Sequence, residues 1–100
     1  MEPDGPDAPH AISDAQLALH EAFAGEVATR LPRLASLSNG DATVLEDARR
    51  DAHSLASSAV IVDQPEIARL AQAVELDPLH GPVPDLVAAL TAFHQRERGR

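Results

Sequence analysis

The sequence predicts an all-α protein folded as an antiparallel up-and-down four-helix bundle, and three observations carry this prediction. Apolar residues recur at steps of three and four in four separate segments, the spacing of one buried helix face. Proline, glycine and asparagine stand between those segments, where helices end. No segment alternates apolar and polar residues as a half-buried strand would. Because the connections are mostly short, consecutive helices are expected to be antiparallel neighbours.

The first helix is predicted to begin at Ser13, where "SDAQ" places a glutamine three residues after a hydroxyl N-cap. Pro32 lies within this helix and is expected to kink it or split it in two, because proline removes a backbone donor. In "SNGD", Asn39 or Gly40 can take the left-handed C-terminal position while Asp41 caps the next helix. The predicted buried stripe is Leu17, Phe23, Val27, Leu31, Leu34 and Leu37.

The other three helices follow from the same spacing. The second is predicted from about Ala42 to Val62, the third from Pro65, which suits a first helical position, and the fourth from Pro84 or Asp85. The fourth helix is expected to fray in the charged "QRERGR". The inward positions are Leu45, Ala48, Ala52, Leu55, Ala59 and Val62, then Ile67, Leu70, Ala71 and Val74, then Leu86, Val87, Leu90 and Phe93.

Length and composition indicate one small domain. One hundred residues can bury a single modest core, which must be mainly aliphatic since only two residues are aromatic. Residues 1–11 are acidic and proline-rich and are predicted to be a flexible tail, and residues 12–98 are predicted to form the bundle.

Charge and cysteine content exclude several classes of function. The net charge of -8 repels a phosphate backbone, so nucleic-acid binding is not expected. No apolar run is long enough to span a bilayer, so no membrane partner is expected. The chain has no cysteine, which fits a cytoplasmic location. The histidines lack a paired metal-ligand spacing, so no metal site is expected.

His53, in "DAHSLASSAV", is expected on the outer face of the second helix. At about 100° per residue, it lies roughly 130° from the mean direction of the buried positions. A histidine placed this way is most often an ordinary solvated side chain. The same side carries two arginines one turn before the ring and small residues one turn after it. The residues on that side are Glu46, Arg49, Arg50, Ala56, Ser57 and Val60.

The residues around His53 resemble the histidine phosphotransfer (HPt) family, including the phosphotransfer domain of chemotaxis-type histidine kinases. "AHSLASSAVIV" followed by "PEIARLAQAVE" is similar to the family motif Ala-His-x-Leu-Lys-Gly-Ser-Ala, an apolar stretch, a short turn and Leu-x-x-Leu-Ala-x-x-Leu-Glu. The resemblance covers residues 17–76. The matching positions are Ala52, His53, Leu55, Ser58, Ala59, Ile67, Leu70, Ala71, Val74 and Glu75.

The resemblance implies a phosphorelay carrier rather than an enzyme, standing alone or as part of a histidine kinase. His53 would accept a phosphoryl group and donate it between a histidine kinase or receiver domain and a response-regulator aspartate. Ala56, Ser57 and Val60 would leave a smooth surface for that partner. No cofactor is expected on this chain, since Mg²⁺ is expected on the receiver.

Two positions depart from the family motif, which has lysine and glycine where this chain has Ala56 and Ser57. Serine is nearly as small as glycine, but the lost lysine removes a cation near the phosphoryl group. Arg49 and Arg50 could supply the missing positive charge. The alternative is a degenerate HPt-like interaction module that docks a receiver or kinase without phosphotransfer.

Overall fold

The computed structural model describes residues 14–99, which form four α-helices and one short 3₁₀ turn and contain no strand. The all-α prediction is therefore confirmed. The elements are α1 (Asp14–Ser38), the 3₁₀ turn (Ala42–Val44), α2 (Leu45–Ile61), α3 (Pro65–Leu76) and α4 (Val83–Arg98).

The four helices form an antiparallel up-and-down bundle, as predicted. Each helix packs against two neighbours: α1 and α3 both contact α2 and α4. His20 of α1 contacts Glu97 of α4 at 2.8 Å, and Phe23, further along α1, packs edge-on against Phe93, earlier in α4, at 5.1 Å, so these two helices are antiparallel. The short turn between α2 and α3 makes that pair antiparallel as well.

The core lies on the predicted inner faces and is rich in alanine. Ala48, Ala52 and Ala59 of α2 are fully buried, and small side chains let the neighbouring helices approach α2 closely. The buried apolar residues of the four helices are Phe23, Val27, Leu34, Leu37, Ala48, Ala52, Leu55, Ala59, Ile67, Leu70, Ala71, Val74, Val83, Leu86, Leu90 and Phe93.

The turns before and after α2 each contain one residue in the left-handed backbone conformation. After α1, Gly40 has φ +97° and the Asp41 N–H donates to the Ser36 carbonyl at 3.0 Å. After α2, Asp63 has φ +58° and the Gln64 N–H donates to the Ala59 carbonyl at 2.8 Å. Both are Schellman-type ends, in which glycine is the usual left-handed residue. The Gly40 alternative is confirmed, and Asp41 caps the 3₁₀ turn through the Thr43 N–H.

Several details of the sequence prediction are wrong. α1 continues through Pro32 and is not split there, because buried Val27 and Leu34 anchor the helix to the core on both sides of this exposed proline. The alternative, a kink at Pro32, stays a prediction. Leu17 is exposed rather than buried, because it lies in the first turn at the end of the bundle. α4 starts at buried Val83 and stays helical to Arg98 without fraying.

The second helix is preceded by the 3₁₀ turn, so the α-helix itself begins at Leu45 rather than Ala42. The predicted tail over residues 1–11, the start of the domain at residue 12 and the Ser13 cap lie outside the described residues.

Candidate functional site

His53 lies on the outer face of α2, on the side predicted from the helical spacing. Its side chain is 66% exposed, whereas its neighbours Ala52 and Leu55 are completely buried. A rigid, buried helix face therefore holds an exposed imidazole.

The His53 ring is fixed by α3. Its Nδ1 lies 2.7 Å from Oε2 of Glu75, in the last turn of that helix. A carboxylate can only accept, so Nδ1 is the donor in this contact, and the neutral tautomer that donates from Nδ1 has its lone pair on Nε2. Sequence reasoning placed Glu75 only as a motif match, because a contact between helices depends on the register of α3 against α2.

A cavity of about 350 Å³ lies beside the ring between α2 and α3, and we call it the α2–α3 groove. Its α2 side contains His53 and three other predicted site residues. Its α3 side contains four residues that the sequence did not place beside His53. Its lining is His53, Ala56, Ser57, Val60, Ala68, Arg69, Gln72 and Glu75.

The α2 wall of the groove is short and mostly apolar. Ala56 is half-buried and packs against the core, and the Ser57 hydroxyl donates to the His53 carbonyl at 3.4 Å. Val60 is 69% exposed, and the next residue, Ile61, is exposed as well. This wall leaves open space beside the imidazole and contributes no cation.

Arg49 and Arg50 lie on the same side of α2 but do not line the groove. Arg49 binds Glu46 through two hydrogen bonds of 3.0 and 2.7 Å, and Arg50 contacts Glu46 and Asp47. The hydrogen bond from Arg49 lowers the pKa of Glu46. The same bond raises the pKa of Arg49, and the negative charge of Glu75 adds to that rise, so Arg49 lies within the field of Glu75.

Arg69 approaches the groove from α3. It makes an equivalent pair with Glu66, one turn earlier, through hydrogen bonds of 3.2 and 2.7 Å. That bond lowers the pKa of Glu66 and raises the pKa of Arg69. Both side chains are 65% exposed, so the pair is a weak surface contact.

The opposite side of α2 carries a buried ion cluster that sequence reasoning missed. Asp51 is 1% exposed and accepts a hydrogen bond from Arg30 at 2.7 Å and two from Arg33 at 2.6 and 3.0 Å. Arg30 also donates to Ser54 and Glu26. The signal was present, since an aspartate three residues after Ala48 falls on the buried face of α2.

Other kinds of site are not found in the described part of the chain. Within residues 14–99, no group of three or more His, Cys, Asp or Glu side chains could hold a metal ion. No helix in the same range combines the length and apolar character needed to cross a membrane.

The comparisons with known proteins identify the family. The family model described as "Hpt domain" matches residues 18–98, which include all of α2, α3 and α4 and most of α1. Neither the comparison with curated proteins nor that with solved structures gave a match. Since the match covers most of the sequence and its four-helix architecture agrees with the bundle, the chain belongs to the Hpt domain family.

Proposed function

We propose that this protein is a phosphorelay carrier that accepts a phosphoryl group on Nε2 of His53 and donates it to a response-regulator aspartate. The observation that carries the proposal is the exposed imidazole whose Nδ1 is bound by Glu75 at 2.7 Å. Membership of the Hpt domain family supports the same reaction class.

The chemistry follows from the state of the ring. Nε2 attacks phosphorus, a nitrogen–phosphorus bond forms, and the bond from phosphorus to the donor oxygen breaks, with the electron pair leaving on that oxygen. The ring gains positive charge as the bond forms. The Glu75 carboxylate faces the Nδ1 proton and stabilises that charge, as a carboxylate does for histidine in other active sites.

The rest of the machinery belongs to the partner. A phosphoryl group in transfer is stabilised mainly by cations positioned around its oxygens. We infer that the receiver domain, with its Mg²⁺, supplies most of them, and that a histidine kinase or receiver is the donor. Ala56, Ser57 and Val60 leave the approach to Nε2 unobstructed, and the exposed Val60 and Ile61 offer apolar contact area.

The decisive experiment is phosphorylation of the full chain and of His53→Gln, using phosphorylated receivers and kinases of the same organism together with phosphoramidate as a small donor. The wild-type chain is expected to take up acid-labile phosphate, and the variant none. Circular dichroism should be unchanged, because His53 contributes nothing to the core.

His80→Gln is the matched control. His80 is also an exposed histidine beside a carboxylate, with Nδ1 3.5 Å from Asp77, but it lies outside the α2–α3 groove. It should take up label like the wild type. Labelling of His53→Gln at the wild-type level, or its loss in His80→Gln alone, would refute the assignment.

The second candidate function is a docking module that binds a receiver or kinase without phosphotransfer. The observation in its favour is Ala56, because the α2 wall of the groove carries no cation. In that case the chain would bind its partner with equal affinity with and without His53, and would take up no label from any donor.

A further inference from the structure

We propose that Arg69 of α3 is the cation that binds the phosphoryl group on His53. This inference rests on the proposed function and adds a residue to it. It follows from one juxtaposition: Arg69 and His53 line the same groove from opposite helices.

The charge of the groove favours a cation beside the phosphoryl group. A phosphoryl group on Nε2 adds up to two negative charges, and Glu75 already places a carboxylate on the other nitrogen of the same ring. Without a cation, two like charges would share one small cavity at a cost in free energy. Among the described residues that line the groove, Arg69 alone is positively charged regardless of pH.

Arg69 can change partner at little cost. Its pair with Glu66 is formed by two side chains that are each 65% exposed, and such pairs contribute little to stability. A guanidinium can bind phosphate oxygens through two parallel hydrogen bonds, the geometry that it already makes with Glu66, and a phosphoryl group with up to two negative charges attracts it more strongly than a single carboxylate. Phosphorylation would therefore draw Arg69 from Glu66 into the groove.

Arg49 is the rival cation, and the structure favours Arg69 over it. Both arginines bind a glutamate three residues earlier in the same two-bonded geometry. Arg49, however, does not line the groove. Arg69 shares the open space into which the phosphoryl group would project.

The test compares the half-life of the phosphohistidine in the full chain, in Arg69→Gln, in Arg49→Gln and in Arg98→Gln, after labelling with phosphoramidate. Arg98→Gln makes the same charge change at the end of α4, a helix that does not contact α2. We expect hydrolysis to be about fivefold faster in Arg69→Gln, the scale of one exposed charged contact, and unchanged in Arg98→Gln. In the wild type, the Nε resonance of Arg69 should shift on phosphorylation.

Two further variants separate a direct contact from a structural role. Arg69→Lys should retain most of the wild-type half-life. Ala56→Lys should restore it in the Arg69→Gln background, because position 56 faces the same groove from α2.

The outcomes separate this proposal from the one on which it rests. If the wild type takes up label but Arg69→Gln matches it, or if Arg49→Gln and Arg69→Gln shorten the half-life equally, the role of Arg69 is refuted and His53 remains the acceptor. If the wild type takes up no label from any donor, the proposed function fails and the role of Arg69 falls with it.

Discussion

Two of the polar contacts that join α2 to its neighbours use similar groups in opposite surroundings. On the α1 side, the carboxylate of Asp51 is buried and held by two arginines. On the α3 side, the His53 ring meets the carboxylate of Glu75 in an open groove, with the ring two-thirds exposed. Burial decides which contact can do chemistry: the first fixes the register of two helices, and the second leaves a nitrogen free to react.

The largest effect should come from the buried side. Asp51→Ala removes the acceptor of three arginine hydrogen bonds and should lower the free energy of unfolding by about 2 to 3 kcal/mol, somewhat below a fully buried pair because both arginines reach water. Urea unfolding followed by circular dichroism measures it. Glu75→Ala is the matched change on the other side of α2 and should cost about 0.5 kcal/mol. Equal losses in the two variants would contradict the distinction.

A smaller effect is expected on the exposed side, and on rate rather than stability. Glu75→Gln keeps the size of the side chain but removes the charge that faces the Nδ1 proton and stabilises the ring as the nitrogen–phosphorus bond forms, so phosphoryl uptake by His53 should slow about tenfold. Receiver affinity should not change. Nitrogen-15 spectra of the ring should show a larger share of the Nε2-protonated tautomer. A wild-type rate in Glu75→Gln would show that the carboxylate has no part in transfer.

The smallest effect is expected at the two turns that flank α2, one after α1 and one before α3. Asp63→Gly should stabilise the protein by about 0.5 kcal/mol, since glycine carries no penalty at φ +58°. Gly40→Ala, the reverse change at the other turn, should cost about 1 kcal/mol. Thermal unfolding measures both, and neither should alter phosphorylation of His53. A destabilised Asp63→Gly would mean that the aspartate side chain contributes to the α2–α3 turn.

The fold was predictable from the sequence because its signals are local. Steps of three and four residues set the inner face of each helix, and the predicted positions Ala48, Ala52, Leu55 and Ala59 are all buried. Leu17 shows what the spacing of apolar residues does not specify. The spacing of apolar residues indicates which face of a helix is apolar. Whether the residues at the end of that face are buried depends on how far the neighbouring helices extend.

The site was predictable only in part, because some of its contacts are not local in sequence. The spacing around His53 places its ring outside the core without any knowledge of the other helices. The contacts of Glu75, Arg69 and Asp51 each require the rotation and register of a second helix, which no single segment specifies. The motif match included Glu75, yet nothing in the linear sequence stated that it would lie 2.7 Å from the ring.

The alternation of fully buried Ala52 with exposed His53 has an evolutionary consequence. Substitutions of exposed residues on the outer face of α2 do not change the packing of the bundle. Selection can therefore act on the reactive surface and on the buried core independently. Changes at exposed positions such as His53 and Val60 are of this kind, because they can alter the surface of the groove without first costing the chain its ability to fold.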